Sequence, residues 1–154
     1  MSTLTPKRHY RHDIDGLRAV AVLSVLFFHL DLGFSGGYVG VDVFFVISGY
    51  LITGLILKAQ SENRFNLKQF WGRRIRRLVP AVTTMLLVVL VLGYAYLLPT
   101  DLDNLGEAAI AQILLVANVY FAGSFDYFAG PAELRPLLHT WSLAVEEQFY
   151  LLFP

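Results

Sequence analysis

From Pro80 to Leu98 the chain carries no acidic or basic residue at all. As a helix, a stretch of that length rises about 28 Å, close to the thickness of a bilayer's hydrocarbon core. It opens on Pro80, is followed by Pro99, and finishes with Tyr94 and Tyr96, residues suited to a membrane interface. Such a run must be enclosed by a large core or laid across a membrane. With 154 residues, 56% of them hydrophobic, and a mean hydropathy of +0.56, the chain has too little polar surface to enclose it. Similar runs occupy 17–32, 39–57 and 108–123, and another opens near residue 141. The predicted fold class is therefore all-α: a polytopic transmembrane helical bundle of about four spans plus the start of a fifth.

Charge placement orients this bundle. Twelve basic and twelve acidic residues cancel overall. They are not mixed, however. Lys7, Arg8, Arg11 and Arg18 flank the first run, and Lys58, Arg64, Lys68, Arg73, Arg74, Arg76 and Arg77 lie between the second and third against Glu62 alone. Asp101, Asp103 and Glu107 follow the third run without a base. By the positive-inside rule the N-terminus and the arginine-rich loop face the cytoplasm and the acidic loop faces outward. Between Ser124 and Thr140, Arg135 stands against Asp126 and Glu133, so the rule gives no orientation there and a re-entrant segment stays open. No small-residue cleavage site closes the first run, which predicts a retained helix rather than a removed signal peptide. The ending LLFP falls within a hydrophobic segment that has barely begun, as expected of the front part of a longer protein.

Three groups of residues could carry chemistry. Arg18 and His29 are eleven residues apart, close to three helical turns, so both side chains lie on one face about 16 Å apart along the axis. In a crossing helix Arg18 would sit at one surface and His29 near the middle, where a titratable group is costly unless it is paired or lines a wet cavity. An imidazole there could take a proton from a hydroxyl and return it to a leaving group, as acyl transfer to an alcohol requires; the other reading is a histidine that bonds a neighbouring helix. Asp42 could orient that ring, or simply cap the second helix at the surface. In WGRRIRRLVP, Arg73 with Arg76 and Arg74 with Arg77 are spaced to project in pairs from one helical turn. Guanidinium forks suit phosphate oxygens, although such a cluster can also serve only topology and anionic lipid. Glu146 and Glu147 open the last helix; adjacent carboxylates point apart, so at most one addresses a site. There is no cysteine, no zinc motif, no P-loop and no dinucleotide fingerprint. No metal site is predicted, and nucleic-acid binding has no support beyond basic residues that topology explains.

Four stretches in order, DIDGLRAVAVLSVLFFH, GGYVGVDVFFVISGYLITGLI, FWGRRIRRLVPA and LLHTWSLAVEEQFYLLFP, resemble the acyltransferase-3 family of membrane-bound O-acyltransferases. The family's arginine, ten residues, histidine pattern falls on Arg18 and His29. Its RxxR pattern fits Arg73 and Arg76 or Arg74 and Arg77, and its SGFL-like motif appears as Ser48, Gly49, Tyr50 and Leu51. The resemblance implies an integral protein of the bacterial cytoplasmic membrane, here the N-terminal part of a single membrane domain covering residues 1–154. It implies an acyl-coenzyme A donor, usually acetyl-coenzyme A, engaged from the cytoplasm, and a hydroxylated acceptor such as a polysaccharide or peptidoglycan outside. His29, Asp42 and Glu146 become the catalytic candidates, and Arg18, Arg73, Arg74, Arg76 and Arg77 the donor-binding ones. A transporter or channel subunit with an Arg18, His29 and Asp42 path is the alternative from another class, and an inactive fragment a third.

Overall fold

The computed structural model describes residues 11–123 and 135–154, and among them there are helices and no strands. In chain order the helices are α1 (His12–His29), α2 (Val39–Ser61), α3 (Leu67–Tyr96), α4 (Pro99–Ile113), α5 (Ala117–Gly123) and, after a 3-10 turn at Leu138–Thr140, α6 (Trp141–Leu152). Two of them, α2 and α3, are long and apolar enough to cross a membrane. The 18-residue α1 includes Asp13, Asp15 and Arg18, which dilute its apolar character. The chain separates into two compact units, Met1–Leu57 and Lys58–Pro154.

In the first unit α1 starts earlier than the apolar run suggests, because Asp13 and Asp15 suit the positive end of a helix. It also stops earlier, at His29. Asp31 turns into the left-handed region with φ 51°, its N–H donates to the Phe28 carbonyl and that of Leu32 donates to the Phe27 carbonyl. This is the paired closure that usually takes glycine. The same closure ends α2 at Asn63, where Arg64 N–H reaches Ala59 and Asn63 N–H reaches Gln60. The two helices run antiparallel and approach backbone to backbone where Gly37, just before α2, and Gly40, within it, meet Ser24 and Ala21 of α1. A Cβ on Gly40 would strike the Ala21 carbonyl oxygen, and one on Gly37 would strike that of Ser24. Only glycine allows this approach, and close approach is how apolar helices gain packing where water supplies no drive between them.

In the second unit the basic loop and the third span form one helix. The side chain of Asn66 caps α3 by accepting from Gln69 N–H at 3.2 Å, and the helix passes through Pro80 to Tyr96. The segment expected to be an acidic outer loop is also helical: Pro99 occupies the opening turn of α4, where its missing N–H costs nothing, and Asp101 lies in that first turn. The expected run at 108–123 is correspondingly two helices. They part at Leu115, φ 58°, where Val116 N–H reaches Ala111 and Leu115 N–H reaches Gln112. Neither α4, with 15 residues, nor α5, with seven, spans a hydrocarbon core by itself. The core gathers Leu86 of α3, Leu105, Ala108 and Ala109 of α4, Ala117 and Phe121 of α5, Leu137, and Ala144 of α6. Four of these are alanines, small enough to let helix axes close up. Of the expected return segment, residues 124–134, with Asp126 and Glu133, lie outside the described residues.

Replacing Gly40 by valine should force α2 away from Ala21 and cost about 1–3 kcal/mol, the usual range for overpacking. Gly54→Ala, inside α2 where a Cβ meets nothing within 4 Å, should raise stability by about 0.5–1 kcal/mol. Thermal unfolding of the two variants in detergent compares them directly.

Candidate functional site

In the second unit the polar chemistry converges on Arg74. Its Nε donates to both carboxylate oxygens of Glu147 at 2.8 Å, and its Nη2 lies 2.8 Å from Glu147 Oε1 and 3.6 Å from Glu146 Oε1. The guanidinium carbon sits 3.5 Å from the centroid of the Tyr150 ring, and the Tyr150 hydroxyl donates to Glu146 Oε1 at 2.6 Å. Glu147 and Tyr150 are buried, and the Arg74 side chain is 18% exposed. Helical spacing explains the assembly: Tyr150 follows Glu146 by four residues and Glu147 by three, so its ring lies below both. Both adjacent carboxylates therefore reach one guanidinium. Glu147 meets it through a charge-assisted fork and Glu146 from the side, where one of the two was expected to point elsewhere.

The other arginines behave differently. Arg73, Arg76 and Arg77 are exposed, and none has a carboxylate within 4 Å among the described residues. Arg76 Nε donates to the Gly72 carbonyl at 3.0 Å. At i, i+3 and i+4 the three share one face of α3, and Arg74 is turned about 100° from Arg73.

In the first unit, Arg18 lies with its guanidinium carbon 5.0 Å from the Phe44 centroid, across from α2. His29 closes α1, and its Nδ1 is 2.7 Å from the Val25 carbonyl oxygen. A carbonyl only accepts, so in the neutral ring the Nδ1 proton is held there and the acceptor lone pair is left on Nε2. The Phe28 ring stands edge-on to the imidazole at 5.5 Å. Asp42 is exposed in the first turn of α2. Gly40 faces Ala21 and Phe44 faces Arg18, so Asp42, between them in sequence, lies about 200° round the helix from Gly40 and is directed away from α1. That register also puts it roughly nine residues, ~14 Å, short of the His29 level. The SGYL segment borders an open, largely apolar groove of about 460 Å³ lined by Arg11, Ile14 and residues of α2 from Gly49 to Leu57. Arg11 there holds Asp13 through its Nε and Nη2, and this bond keeps the Asp13 carboxyl at about 2, so the pair stays ionised into strongly acidic solution.

Residues 11–154 match the family described as acyltransferase domain. The chain belongs to the acyltransferase-3 family. It is 47% identical over 153 residues to a peptidoglycan O-acetyltransferase, OatA, of Listeria monocytogenes, covering 96% of this chain and 24% of the relative. It is 46% identical over 148 residues to an O-acetyltransferase, OatA, of Staphylococcus aureus strain NCTC 8325, covering 94% of this chain and 24% of the relative. The chain thus spans about a quarter of the length of these curated relatives. No solved structure matches it.

For an acyltransferase-3 chain the structure separates the two ways of placing the paired arginines: Arg73 and Arg76 both face outward, whereas Arg74 of the other pair is engaged by Glu147. It brings Glu146 to that cluster through Tyr150, and leaves Asp42 and His29 apart. Glu147 and Tyr150 as partners of Arg74 were not legible, because nothing local in a sequence announces a contact across 73 positions. The reciprocal amide pair of Asn118 and Gln148, with Gln148 Nε2 also reaching the Leu115 carbonyl at 2.7 Å, was missed for the same reason. So was Gln112, buried in α4 with no hydrogen-bond partner for its amide among the described residues. Among the described residues no group of three acidic, histidine or cysteine side chains could hold a metal ion.

Removing either side of the Arg74–Glu147 pair strands a charge in a poorly hydrated site, so Arg74→Ala or Glu147→Ala should each cost about 3–5 kcal/mol. The double variant should cost clearly less than the sum of the singles. Denaturation midpoints of the four proteins, closing a double-mutant cycle, measure the coupling.

Proposed function

We propose that this chain is the N-terminal part of an integral membrane O-acetyltransferase, which moves an acetyl group from cytoplasmic acetyl-coenzyme A to a hydroxyl of peptidoglycan or a similar envelope glycan. The observation that carries the reading is the family match across residues 11–154, joined by relatives whose names specify O-acetyl transfer and, in one case, peptidoglycan. Residues 1–154 then form the front of one domain in the bacterial cytoplasmic membrane. The N-terminus and the arginine-bearing end of α3 face the cytoplasm, and α2 and α3 are the crossings that length and composition support.

Each polar residue has a task in this reaction. Exposed arginines on α3 meet the phosphates of the donor, and Arg18 supplies a cation at the inner end of α1. His29, its Nδ1 proton committed to Val25, offers Nε2 to the acceptor hydroxyl or as a relay for the acyl group. As base, it takes the hydroxyl proton while the oxygen attacks the thioester carbonyl. When the carbon–sulfur bond breaks, the same proton passes to the departing thiolate. Glu146, held by the Tyr150 hydroxyl beside Arg74, assists an acceptor or holds the packing of α6 against α3. Asp42, exposed in the first turn of α2, lies close to the Arg18 level rather than the His29 level and is placed for a contact on that side of the domain.

In the full-length protein, His29→Ala should abolish transfer of labelled acetyl groups to envelope glycan while leaving membrane insertion intact; retained transfer would remove His29 from the chemistry. Arg18→Ala should raise the KM for acetyl-coenzyme A. For orientation, cytoplasm-specific reporters fused near Arg74 should be active and those near Asp103 silent, and the reverse pattern would invert the topology.

A further inference from the structure

We infer that Arg74 and Glu147 act as a positioning pair: they fix α3 so that Arg73, Arg76 and Arg77 form the surface that binds the donor's phosphates, and Arg74 itself does not touch the donor. The inference rests on the acyl-coenzyme A reading given above.

Three observations lead to it. First, Arg74 is poorly placed to receive an anion. Its Nε and Nη2 are occupied by Glu147, its face is stacked on Tyr150, and Glu146 stands 3.6 Å away, so a phosphate approaching it would meet two carboxylates. Second, the remaining three arginines have the opposite character. They are exposed, they share one side of the helix, and none is matched by a carboxylate within 4 Å among the described residues. Guanidinium forks held side by side suit the several charged oxygens of a phosphate-bearing donor. Third, the pair ties α3 to α6 at a position adjacent to Arg73, and a planar fork fixes the rotation of a helix about its axis better than an apolar contact, which tolerates slip. Since Arg74 lies about 100° from Arg73, holding the one residue inward holds the other outward.

The sign of one effect separates this role from simple electrostatics. Glu147 is an acid beside an anion-binding surface, so deleting its charge should strengthen donor binding if only charge matters. If Glu147 positions the surface, the same change should weaken binding. The test uses the full-length protein in liposomes with labelled acetyl-coenzyme A, together with spin labels on cysteines replacing the exposed Lys68 of α3 and Leu151 of α6.

Glu147→Gln should raise the donor KM about tenfold with little change in kcat, and Arg74→Lys should move it the same way. The exchanged pair, Arg74→Glu with Glu147→Arg, should return the KM to within about threefold of the unmutated value. The distance distribution between the labels should broaden in Glu147→Gln, recover in the exchanged pair, and stay unchanged in Arg73→Ala or Arg76→Ala, which raise KM by removing donor contacts. An unchanged or lowered KM in Glu147→Gln overturns the proposal, as does an unchanged label distance. If the unmutated protein transfers nothing from acetyl-coenzyme A, the acyltransferase reading falls; the label distances in Glu147→Gln still decide the positioning role.

Discussion

A guanidinium can be withdrawn from water only if its lost hydration is replaced, and Arg74 obtains that replacement from one residue on a distant helix. Glu147 supplies two oxygens to it, Tyr150 covers its face, and Glu146 holds Tyr150 in turn. The second unit is arranged so that this exchange can take place. Its core is built around alanines at Ala108, Ala109, Ala117 and Ala144, which permit the short helices α4, α5 and α6 to pack closely. Short, small-surfaced helices have little apolar area with which to fix their orientation. A directional charge-assisted contact contributes the geometric definition that their packing lacks.

Where local chemistry decides, the sequence reading comes close to the structure. The apolar runs at 39–57 and 80–98 reappear within α2 and α3, because a run without charges has few other fates in a helical chain. The spacing of Arg18 and His29 needs only the helical repeat, and α1 carries both. Reading fails where a residue acts against its type. Leu115 adopts a left-handed backbone that sequence rules assign to glycine, so the division between α4 and α5 carries no signal in the letters. Pro80 reads as a boundary, yet α3 continues through it and takes the arginine cluster into the same helix as the third span.

Side-chain partnerships were less legible than helices for a related reason. Glu146 and Glu147 look equivalent in sequence, and only the position of α3 decides that the second of them forms the fork and the first the flank. Asp42 is a nearby acid to His29 in a chain read as alternating spans, but the register set by Gly37 and Gly40 against α1 directs it elsewhere. Two glycines thus determine which polar residues of the first unit can meet, although neither carries a functional group.

Pro80 gives α3 a discontinuity of its own. Having no N–H, it leaves the carbonyl of Arg76 without its helical donor, and one turn later the Thr84 hydroxyl donates to the Pro80 carbonyl at 2.8 Å. Both features loosen the regular ladder at the junction between the arginine-bearing end and the apolar end. The two halves of this helix differ in composition, one carrying the arginine cluster and the other free of charge. An interruption placed between them lets each settle into its own environment without imposing its pitch on the other. Arg76 then contributes, besides its guanidinium, a carbonyl oxygen that Pro80 cannot serve, at the level where the charged part of the chain gives way to the apolar part.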